Sequence, residues 1–394
     1  MARLRPLVLV LAGGAGSRME LLTQERAKPA VPFAGTHRLI DFPMSNCRNA
    51  GLNDVWVYQQ FNPISLSHHI SNGRPWDLDR TTGGLLILQP RLGNDDRTGF
   101  QQGTADALWR YAPLIREFDP DALMVVSADA VYALDYAALI DEHVEAGADA
   151  TMVTTEVEPD DAGRYGVVQA GHGQIREYVY KPDEPNGNVV ANEVFVFRPE
   201  RLLDILDDLA RTDGEDSLED LGHEALPLLV DGGKVREHRF SGYWRDVGTV
   251  DAYWRSQQEL LQDEPPIALD DPSWPILTHA GQQHGAARIA ASASIDDSLV
   301  APGSRVAGEV RSSVVGRGVV IEEGAVVRES VLLPGAVVRA GAHVERAVLD
   351  DGVEIGRDAG VGESRGEVAL VGMRARVDEG ARIEGGGRWP VLDD

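Results

Sequence analysis

Apolar residues follow two different patterns along this 394-residue chain. From residue 1 to about residue 262, short apolar runs alternate with longer amphipathic segments. Short bounded runs are typical of strands, and apolar residues at helical spacing are typical of helices. The pattern predicts strands at Leu7–Leu11, Asp54–Tyr58, Gly84–Leu88, Ala122–Ser127, Ala150–Thr155, Gly166–Gln169, Val189–Arg198 and Val235–Phe240, and helices at Thr104–Glu117, Tyr136–Ala146, Pro199–Arg211 and Thr249–Leu261.

This alternation predicts an α/β domain with a Rossmann-like, mostly parallel sheet. Ligands of such sheets bind beyond the carboxyl ends of the strands. The stretch Asp263–Ser273 is rich in acidic residues and proline, which is typical of a linker. We therefore predict a first domain over residues 1–262, a linker over 263–285 and a second domain over 286–394.

In the second domain, aliphatic residues recur every six residues. The recurring positions are Ile289, Ile295, Val314, Val320, Val326, Leu332, Val338, Val344, Val371, Val377 and Ile383. A period of six fits neither an amphipathic helix nor a single strand, but it is the repeat of a parallel β-helix, in which each coil stacks on the next. The stretch Gly356–Gly366 interrupts the rhythm and predicts a loop.

The stretch Leu7–Phe33 carries the first sign of chemistry. Its apolar start suits a strand buried on both faces of a sheet, and it ends in Gly13-Gly14-Ala15-Gly16, a turn that can approach a phosphate closely. Arg18 and Lys28 follow. No Gly-Lys-Ser/Thr closes the loop, and its spacing is not that of the dinucleotide fingerprint. We therefore expect a polyphosphate site of another kind, suited to a nucleoside triphosphate.

Charge composition limits the possible partners. The 37 basic and 63 acidic residues give a net charge of −26, which argues against nucleic acid or an anionic membrane as the main partner. Only three basic residues are lysines, Lys28, Lys181 and Lys234. Lysine binds phosphate as a compact point charge, whereas arginine offers a planar fork. The retained lysines are therefore candidates for phosphate contacts.

The single cysteine, Cys47, excludes an internal disulfide and fits a reducing compartment. No apolar stretch approaches the length needed to span a membrane, and the apolar run after Arg5 leads directly into the glycine loop, unlike a signal peptide. We expect a cytoplasmic protein.

Several motifs together resemble those of the sugar-1-phosphate nucleotidyltransferases, and more closely those of the bacterial glucose-1-phosphate adenylyltransferases (ADP-glucose pyrophosphorylases). They occur in the order found in that family and cover nearly the whole chain. They are Gly13-Gly14-Ala15-Gly16-Ser17-Arg18, Arg26-Ala27-Lys28-Pro29-Ala30-Val31-Pro32, Arg38-Leu39-Ile40-Asp41-Phe42, Ser45-Asn46-Cys47, Gly103-Thr104-Ala105-Asp106-Ala107 and Gly242-Tyr243-Trp244-Arg245-Asp246-Val247-Gly248-Thr249. The repeat tail is similar to the family's C-terminal left-handed β-helix.

The resemblance implies that ATP and α-D-glucose 1-phosphate react to give ADP-glucose and pyrophosphate, for glycogen-type α-glucan synthesis. The reaction needs positioning and charge neutralisation, usually with Mg²⁺. The implied metal ligands are Asp129 and Asp246, and the catalytic residues are Arg18, Lys28, Asp129 and Lys181. The implied nucleotide-binding residues are Ala12, Gly13, Gly14, Gly16, Gln60, Gly103 and Thr104, and the sugar-phosphate-binding residues are Gln101, Gly166, Tyr180, Lys181, Ala191 and Glu193.

The sugar-binding positions depart from the family pattern. Tyr180 replaces a glutamate that contacts the sugar, and Gln101 replaces a tyrosine. Ala191 and Glu193 stand where the family usually has a serine and a glycine, and Glu193 could restore the lost carboxylate from an adjacent strand. Two alternatives therefore remain open: a nucleotidyltransferase for another sugar 1-phosphate, such as an amino sugar, or a non-catalytic regulatory paralogue.

Other implications concern regulation and metal binding. The resemblance implies a homotetramer controlled by metabolites that bind between the two domains. The adjacent pair His68 and His69 has no evident third ligand, so we interpret it as structural rather than as a metal site.

Overall fold

The computed structural model describes residues 4–90, 101–212, 218–279 and 284–391. Its largest sheet has nine strands among these residues. They are β1 (Pro6–Ala12), β4 (Asp54–Gln59), β5 (Gly84–Leu88), β6 (Ala122–Ser127), β8 (Ala150–Glu156), β9 (Gly166–Gly171), β10 (Gln174–Tyr180), β11 (Val189–Phe197) and β12 (Val235–Arg239). Two small ribbons pair β2 (Pro32–Phe33) with β3 (His37–Arg38), and β7 (Ala130–Tyr132) with β13 (Trp244–Asp246).

The nine strands lie in the order β5-β4-β1-β6-β11-β8-β12-β10-β9, with β9 also pairing with β11. Strands β5, β4, β1 and β6 are parallel to one another, and β8 is parallel to β12. Because β11 is antiparallel to both β6 and β8, and β10 to both β12 and β9, only β11 and β10 run against the other strands. The predicted mostly parallel sheet is therefore confirmed.

Eight α-helices lie among the described residues. They are α1 (Leu21–Gln24), α2 (Asp41–Asn49), α3 (Pro63–Ile70), α4 (Thr104–Phe118), α5 (Tyr136–Ala146), α6 (Pro199–Thr212), α7 (Leu221–Gly232) and α8 (Val250–Glu259). Alternate residues of β1 face opposite sides of the sheet: Leu7 and Leu9 pack with α4, α6 and α7, whereas Val8 and Val10 pack with α2, α3 and α5. Burial on both faces explains why β1 is apolar throughout.

The longer elements that the pattern did not predict are α2, α3, α7 and strand β10, and the short elements α1, β2, β3, β7 and β13 were not predicted either. Helix α2 contains Pro43 and several polar residues, so it lacks a clear apolar stripe. Strand β10 mixes charged and apolar residues because one of its faces is largely exposed. Cys47, within α2, is fully buried, and burial raises the pKa of its thiol. None of the helices in the described ranges is long and apolar enough to cross a membrane.

The second domain is built from three parallel six-stranded sheets, as in a left-handed β-helix. The first sheet contains β14 (Arg288–Ile289), β17 (Arg305–Val306), β20 (Val320–Ile321), β23 (Val337–Val338), β26 (Glu354–Ile355) and β29 (Arg376–Val377). The second contains β15 (Ser294–Asp296), β18 (Glu309–Arg311), β21 (Val326–Arg328), β24 (His343–Glu345), β27 (Gly360–Val361) and β30 (Arg382–Ile383). The third contains β16 (Leu299–Val300), β19 (Val314–Val315), β22 (Val331–Leu332), β25 (Ala347–Leu349), β28 (Ala369–Val371) and β31 (Arg388–Trp389).

The strict six-residue interval is wrong in detail. Val315 pairs with Leu332 and Leu332 with Leu349, 17 residues apart each time, because the interior positions are spaced by six, six and five residues. The buried interior residues of two central coils are Val315, Ile321, Val327, Leu332, Val338 and Val344. Val314, Val320 and Val326, predicted as interior, are therefore one residue out of phase, and Ile289 is exposed.

Two other predictions about the second half of the chain need comment. The predicted loop Gly356–Gly366 contains strand β27, so the interruption is shorter and follows that strand; it lengthens the next coil, in which Leu349 pairs with Val371. The predicted linker docks onto α2, where Asn46 accepts a hydrogen bond from the Trp274 indole at 2.9 Å. Residues 280–283 of that linker lie outside the described residues.

Candidate functional site

The parallel strands β1, β4 and β6 end at one cleft of about 480 Å³. The wall of this cleft brings together most of the predicted site residues. Those lining it are Ala12, Gly13, Gly14, Lys28, Gln60, Gln101, Gly103, Thr104, Asp129, Gly166, Tyr180, Lys181, Ala191 and Glu193. The cleft therefore lies where an α/β sheet of this kind binds its ligand.

Two positions require glycine on steric grounds: Gly103 in the cleft wall and Gly16 in the glycine loop beside it. Gly16 has a φ of 67°, in the left-handed region, and a Cβ there would lie 2.9 Å from the Lys28 Cβ. Gly103 precedes helix α4, and a Cβ there would lie 1.9 Å from the Glu219 carbonyl oxygen. The backbone therefore packs more tightly at both positions than a larger residue allows.

The central feature of the cleft is a lysine between two carboxylates. The Lys28 Nζ donates to Asp129 Oδ2 at 2.6 Å and lies 3.8 Å from Asp246 Oδ1. Asp129 follows β6, and the antiparallel pairing of β13 with β7 places Asp246 opposite Ala130. The Val247 amide also donates to the Asp129 carbonyl at 3.1 Å. Two motifs far apart in the chain therefore share one small volume.

The electrostatics of this cluster follow from burial and mutual interaction. Burial opposes the charge on both Lys28 and Asp129, but their ion pair outweighs it: the pKa of Lys28 is raised and that of Asp129 is lowered. At Asp246, burial and repulsion by Asp129 outweigh the attraction of Lys28, Arg164 and Arg18, so its pKa is raised. An additional cation beside Asp246 would stabilise its ionised carboxylate and lower its pKa.

Glu193 adds a further carboxyl to the cleft wall that contains Asp129. Desolvation in the cleft, followed by the charges of Asp129 and Asp246, raises the pKa of Glu193 to about 8. Its φ is 62°, and the β11–β8 register shifts between Ala191 and Phe195. A β-bulge with a left-handed residue suits glycine, so a glutamate there is held at a conformational cost.

On the opposite wall, Gln60 is held by its neighbours. Its amide donates to the Gln101 carbonyl oxygen at 3.0 Å, and its Oε1 accepts from the Gln101 amide at 2.9 Å and from the Tyr58 hydroxyl. The Gln101 side chain, by contrast, is buried with no hydrogen-bond partner for its own amide in the described residues. The side-chain amide of Gln101 is therefore a polar group of this wall that has no protein partner among the described residues.

At the predicted sugar-binding positions, hydrogen bonds connect Lys181, Tyr180 and Asp220, a connection that the sequence did not predict. Tyr180 donates its hydroxyl hydrogen to Asp220 at 2.5 Å, and Lys181 Nζ lies 2.6 Å from the same hydroxyl oxygen. We expected Glu193 to lie on a strand adjacent to that of Tyr180. It does not, because β9 lies between β10 and β11. Asp220 was not predicted as a site residue. It is the N-cap of α7, where its side chain accepts a hydrogen bond from the Gly222 amide. In the sequence, an aspartate at this position indicates only the start of a helix.

Three predicted residues, Gly16, Arg18 and Asp246, lie beside the cleft rather than in its wall, whereas Thr104 lines it. Arg18 is exposed, and both its Nη2 and Asp246 Oδ2 lie within 3.2 Å of the point where a Cβ on Gly248 would be. The Thr104 hydroxyl accepts from the Leu221 amide at 2.8 Å, so this side chain links α4 to α7. The catalytic role of Arg18 and the nucleotide-binding role of Thr104 both stay predictions.

The donor set fits a divalent metal that is completed by substrate. Asp129 and Asp246 are two carboxylates with partly exposed oxygens, and Mg²⁺ usually takes one or two carboxylates together with substrate phosphates. Among the described residues, no three His, Cys, Asp or Glu side chains form a metal-holding group. His69 is buried and pairs with Asp41 at 2.5 Å, in line with a structural role for that histidine.

Comparison with known families gives two matches that together span most of the chain. Residues 7–263 match the nucleotidyl transferase family. Residues 285–383 match the family described as GlmU-like, C-terminal hexapeptide.

Three curated relatives, each named glucose-1-phosphate adenylyltransferase, illustrate the similarity. The protein of Pseudothermotoga lettingae is 39% identical over 322 residues, which is 81% of this chain and 76% of the relative. That of Acetivibrio thermocellus is 34% identical over 98% of this chain and 92% of the relative. That of Bacillus thuringiensis is 36% identical over 96% of this chain and 94% of the relative.

Proposed function

The chain belongs to the family of glucose-1-phosphate adenylyltransferases, and we propose that its cleft transfers the adenylyl group of ATP to α-D-glucose 1-phosphate, giving ADP-glucose and pyrophosphate. The observation that carries this proposal is Lys28, held between Asp129 and Asp246 beside the glycine loop. This arrangement offers charge neutralisation and positioning, which phosphoryl chemistry requires.

In the proposed reaction, a phosphate oxygen of glucose 1-phosphate attacks the α-phosphorus of ATP, and the bond to the β,γ-pyrophosphate breaks. The protein supplies no covalent nucleophile. Lys28 neutralises phosphate charge at the reacting centre, and Arg18, at the rim, stabilises the charge that develops on pyrophosphate. The glycine loop lets the backbone approach the triphosphate, and Gln60, with Gln101 beside it, faces the nucleobase.

Nucleotidyltransferases of this kind generally use a divalent metal ion, and we propose Mg²⁺ for this chain. Asp129 and Asp246 would hold it. When bound, the ion would offset the negative charge of the phosphate oxygens. The raised pKa of Asp246, caused by burial and by Asp129, supports this assignment.

The sugar side of the site is proposed to be Tyr180, Lys181, Ala191, Glu193 and Gly166. Lys181 is exposed and would pair with the sugar phosphate. Burial and the charges of Asp129 and Asp246 raise the pKa of the Glu193 carboxyl. Its oxygens can accept hydrogen bonds from sugar hydroxyls, and in its protonated form it can also donate one.

The test is an assay of pyrophosphate release with Mg²⁺, each nucleoside triphosphate and a panel of sugar 1-phosphates. We expect turnover with ATP and glucose 1-phosphate. Preference for an amino sugar 1-phosphate would overturn the glucose assignment alone, an alternative that the names of the relatives do not favour. No turnover with any pair would instead indicate a regulatory paralogue, although the retained Arg18, Lys28, Asp129, Lys181 and Asp246 oppose that reading.

Three further expectations of the family resemblance also remain proposals: a homotetramer, control by metabolite effectors and a cytoplasmic location. A single buried cysteine supports the last of these. Size-exclusion chromatography with light scattering, and activity assays with phosphorylated metabolites, test the first two.

A further inference from the structure

The residues from Arg18 to Lys28, here called the Arg18–Lys28 segment, lie against the β-helix as well as against the cleft. Met19, Leu21 and Leu22 of this segment are buried in one apolar cluster with residues of the third β-helix sheet. The β-helix residues of that cluster include Val314, Val331, Val348 and Leu370. These side chains point outward from their strands, because their neighbours Val315, Leu332, Leu349 and Val371 fill the β-helix interior.

A buried ion pair fixes the end of the segment that is nearest to the cleft. Arg26 Nη2 pairs with Asp350 Oδ1, and the two side chains are 3% and 0% exposed. Asp351 Oδ2 lies 3.6 Å from the same nitrogen. Asp350 follows strand β25 of the β-helix, so this contact joins the two domains. This charge-assisted contact of one Arg26 nitrogen with Asp350 sets where the Arg26 guanidinium lies.

Two further ion pairs hold the segment. Arg388, in the last described coil, pairs with Glu20 through two nitrogens, with Nη2 3.1 Å from Oε1. Arg374 lies 3.6 Å from Glu25, but both side chains are largely exposed, so this pair contributes little. The strong contacts are therefore those of Asp350 and Arg388.

The inner end of the same segment carries the proposed chemistry. Lys28 is two residues after Arg26, and the Ala27 amide between them donates to Ser65 Oγ at 3.0 Å. Because only Ala27 separates the two residues and its amide is hydrogen-bonded, the backbone between them has little conformational freedom. The position of Arg26 therefore restricts the position of Lys28. We propose that Asp350 is a positioning residue of the reaction: through Arg26, the β-helix holds Lys28 against Asp129.

The energetics of buried ion pairs favour positioning over simple stabilisation. Replacing a buried pair with apolar side chains of similar volume is often neutral or stabilising. If domain adhesion alone were needed, the apolar cluster beside this pair would provide it. What an apolar contact does not provide is a fixed direction for the Arg26 side chain.

The experiment uses the full chain and follows Lys28 directly. The chain has only three lysines, so their acetylation rates can be resolved by peptide mass spectrometry. In Asp350→Asn, we expect Lys28 to acetylate severalfold faster, because a displaced Lys28 loses its close contact with Asp129, while Lys181 and Lys234 are unchanged. We also expect kcat to fall on the order of 10²-fold, the effect of a misplacement of about 1 Å.

The matched control is Asp296→Asn, which removes another β-helix carboxylate, one paired with Arg311 at 3.6 Å on the exposed surface. It should leave both Lys28 acetylation and kcat at the parent level. In the folded Asp350→Asn protein, an unchanged Lys28 rate or an unchanged kcat overturns the proposal, as does a uniform rise at all three lysines.

A double variant, Arg26→Met with Asp350→Leu, covers the possibility that Asp350→Asn does not fold. It should fold, because both charges of the fully buried pair are removed and Asp351, which loses Arg26, is 32% exposed. Lys28 should still acetylate faster and kcat should stay low. Parent-like values of both would overturn the positioning role. The turnover readout rests on the proposed function, whereas acetylation does not. If the parent protein releases no pyrophosphate, the proposed function fails and Lys28 acetylation still decides the positioning role.

Discussion

Lys28 Nζ lies 2.6 Å from Asp129 Oδ2, although the two residues are 101 positions apart in the chain. Lys28 belongs to the segment after the glycine loop, and Asp129 follows the central strand β6. The Lys28 ammonium, against the opposing effect of burial, keeps the pKa of Asp129 low and hence its carboxylate charged. A charged carboxylate beside this lysine supports the proposed binding of a metal–nucleotide complex.

The first prediction concerns Asp129. Asp129→Asn removes a charge from the proposed metal site and from the Lys28 pair. Pyrophosphate release should fall by about 10²–10³-fold, as when one preorganised electrostatic group is lost. Asp208→Asn, which breaks an exposed pair with Arg211, is the matched control and should retain parent activity. A fully active Asp129→Asn protein would remove Asp129 from the metal site.

The second prediction concerns the backbone at Glu193, where φ is 62°. Glu193→Gly and Glu193→Ala both remove the carboxyl, but only glycine relieves the left-handed conformation. The glycine variant should therefore be more stable than the alanine variant by about 1 kcal/mol. Urea denaturation followed by fluorescence measures the difference. Equal stabilities would show that the bulge relaxes around alanine.

The third prediction concerns the Tyr180 hydroxyl, which lies between Asp220 and Lys181. In Tyr180→Phe, the ring is kept while Lys181 loses this contact. We expect KM for glucose 1-phosphate to rise by about tenfold, corresponding to the loss of one hydrogen bond to a charged group, with KM for ATP unchanged. A rise in KM for ATP alone would place Tyr180 on the nucleotide side.

The fourth prediction concerns pH and Asp350. Burial raises the pKa of Asp350 to about 6 from its ordinary 3.8, despite the attraction of Arg26. The folded protein therefore holds this proton more tightly than the unfolded chain. The stability from this group is complete below pH 4 and is lost as pH rises through about 6, a change of about 3 kcal/mol.

Asp350→Asn removes this titration. The unfolding free energy of the parent minus that of the variant should therefore decrease between pH 4 and 6.5, and then stay constant. Urea unfolding of both proteins at half-unit steps of pH measures it. A constant difference over this range would contradict the raised pKa.

Much of the fold was predictable because its signals are local. The apolar run of β1 and the glycine turn after it identified the strand and the loop, and the repeated aliphatics identified the β-helix. Helix α2 was missed because its residues are buried by their neighbours and not by an apolar stripe of their own. The phase at Val314, Val320 and Val326 was misread by one residue, because each of these valines is next to an interior aliphatic residue, Val315, Ile321 or Val327.

By itself, the sequence determined eight of the nine strands of the main sheet, the glycine loop and the residue types of the site: Lys28, Asp129, Asp246 and Lys181. Only the tertiary structure decided which of them meet. Pairing of β13 with β7 brings Asp246 to Asp129, and capping of α7 brings Asp220 to Tyr180. Docking of the β-helix brings Asp350 to Arg26. Periodicity is a property of neighbouring residues, whereas these contacts depend on strand order and domain packing, which no local pattern encodes.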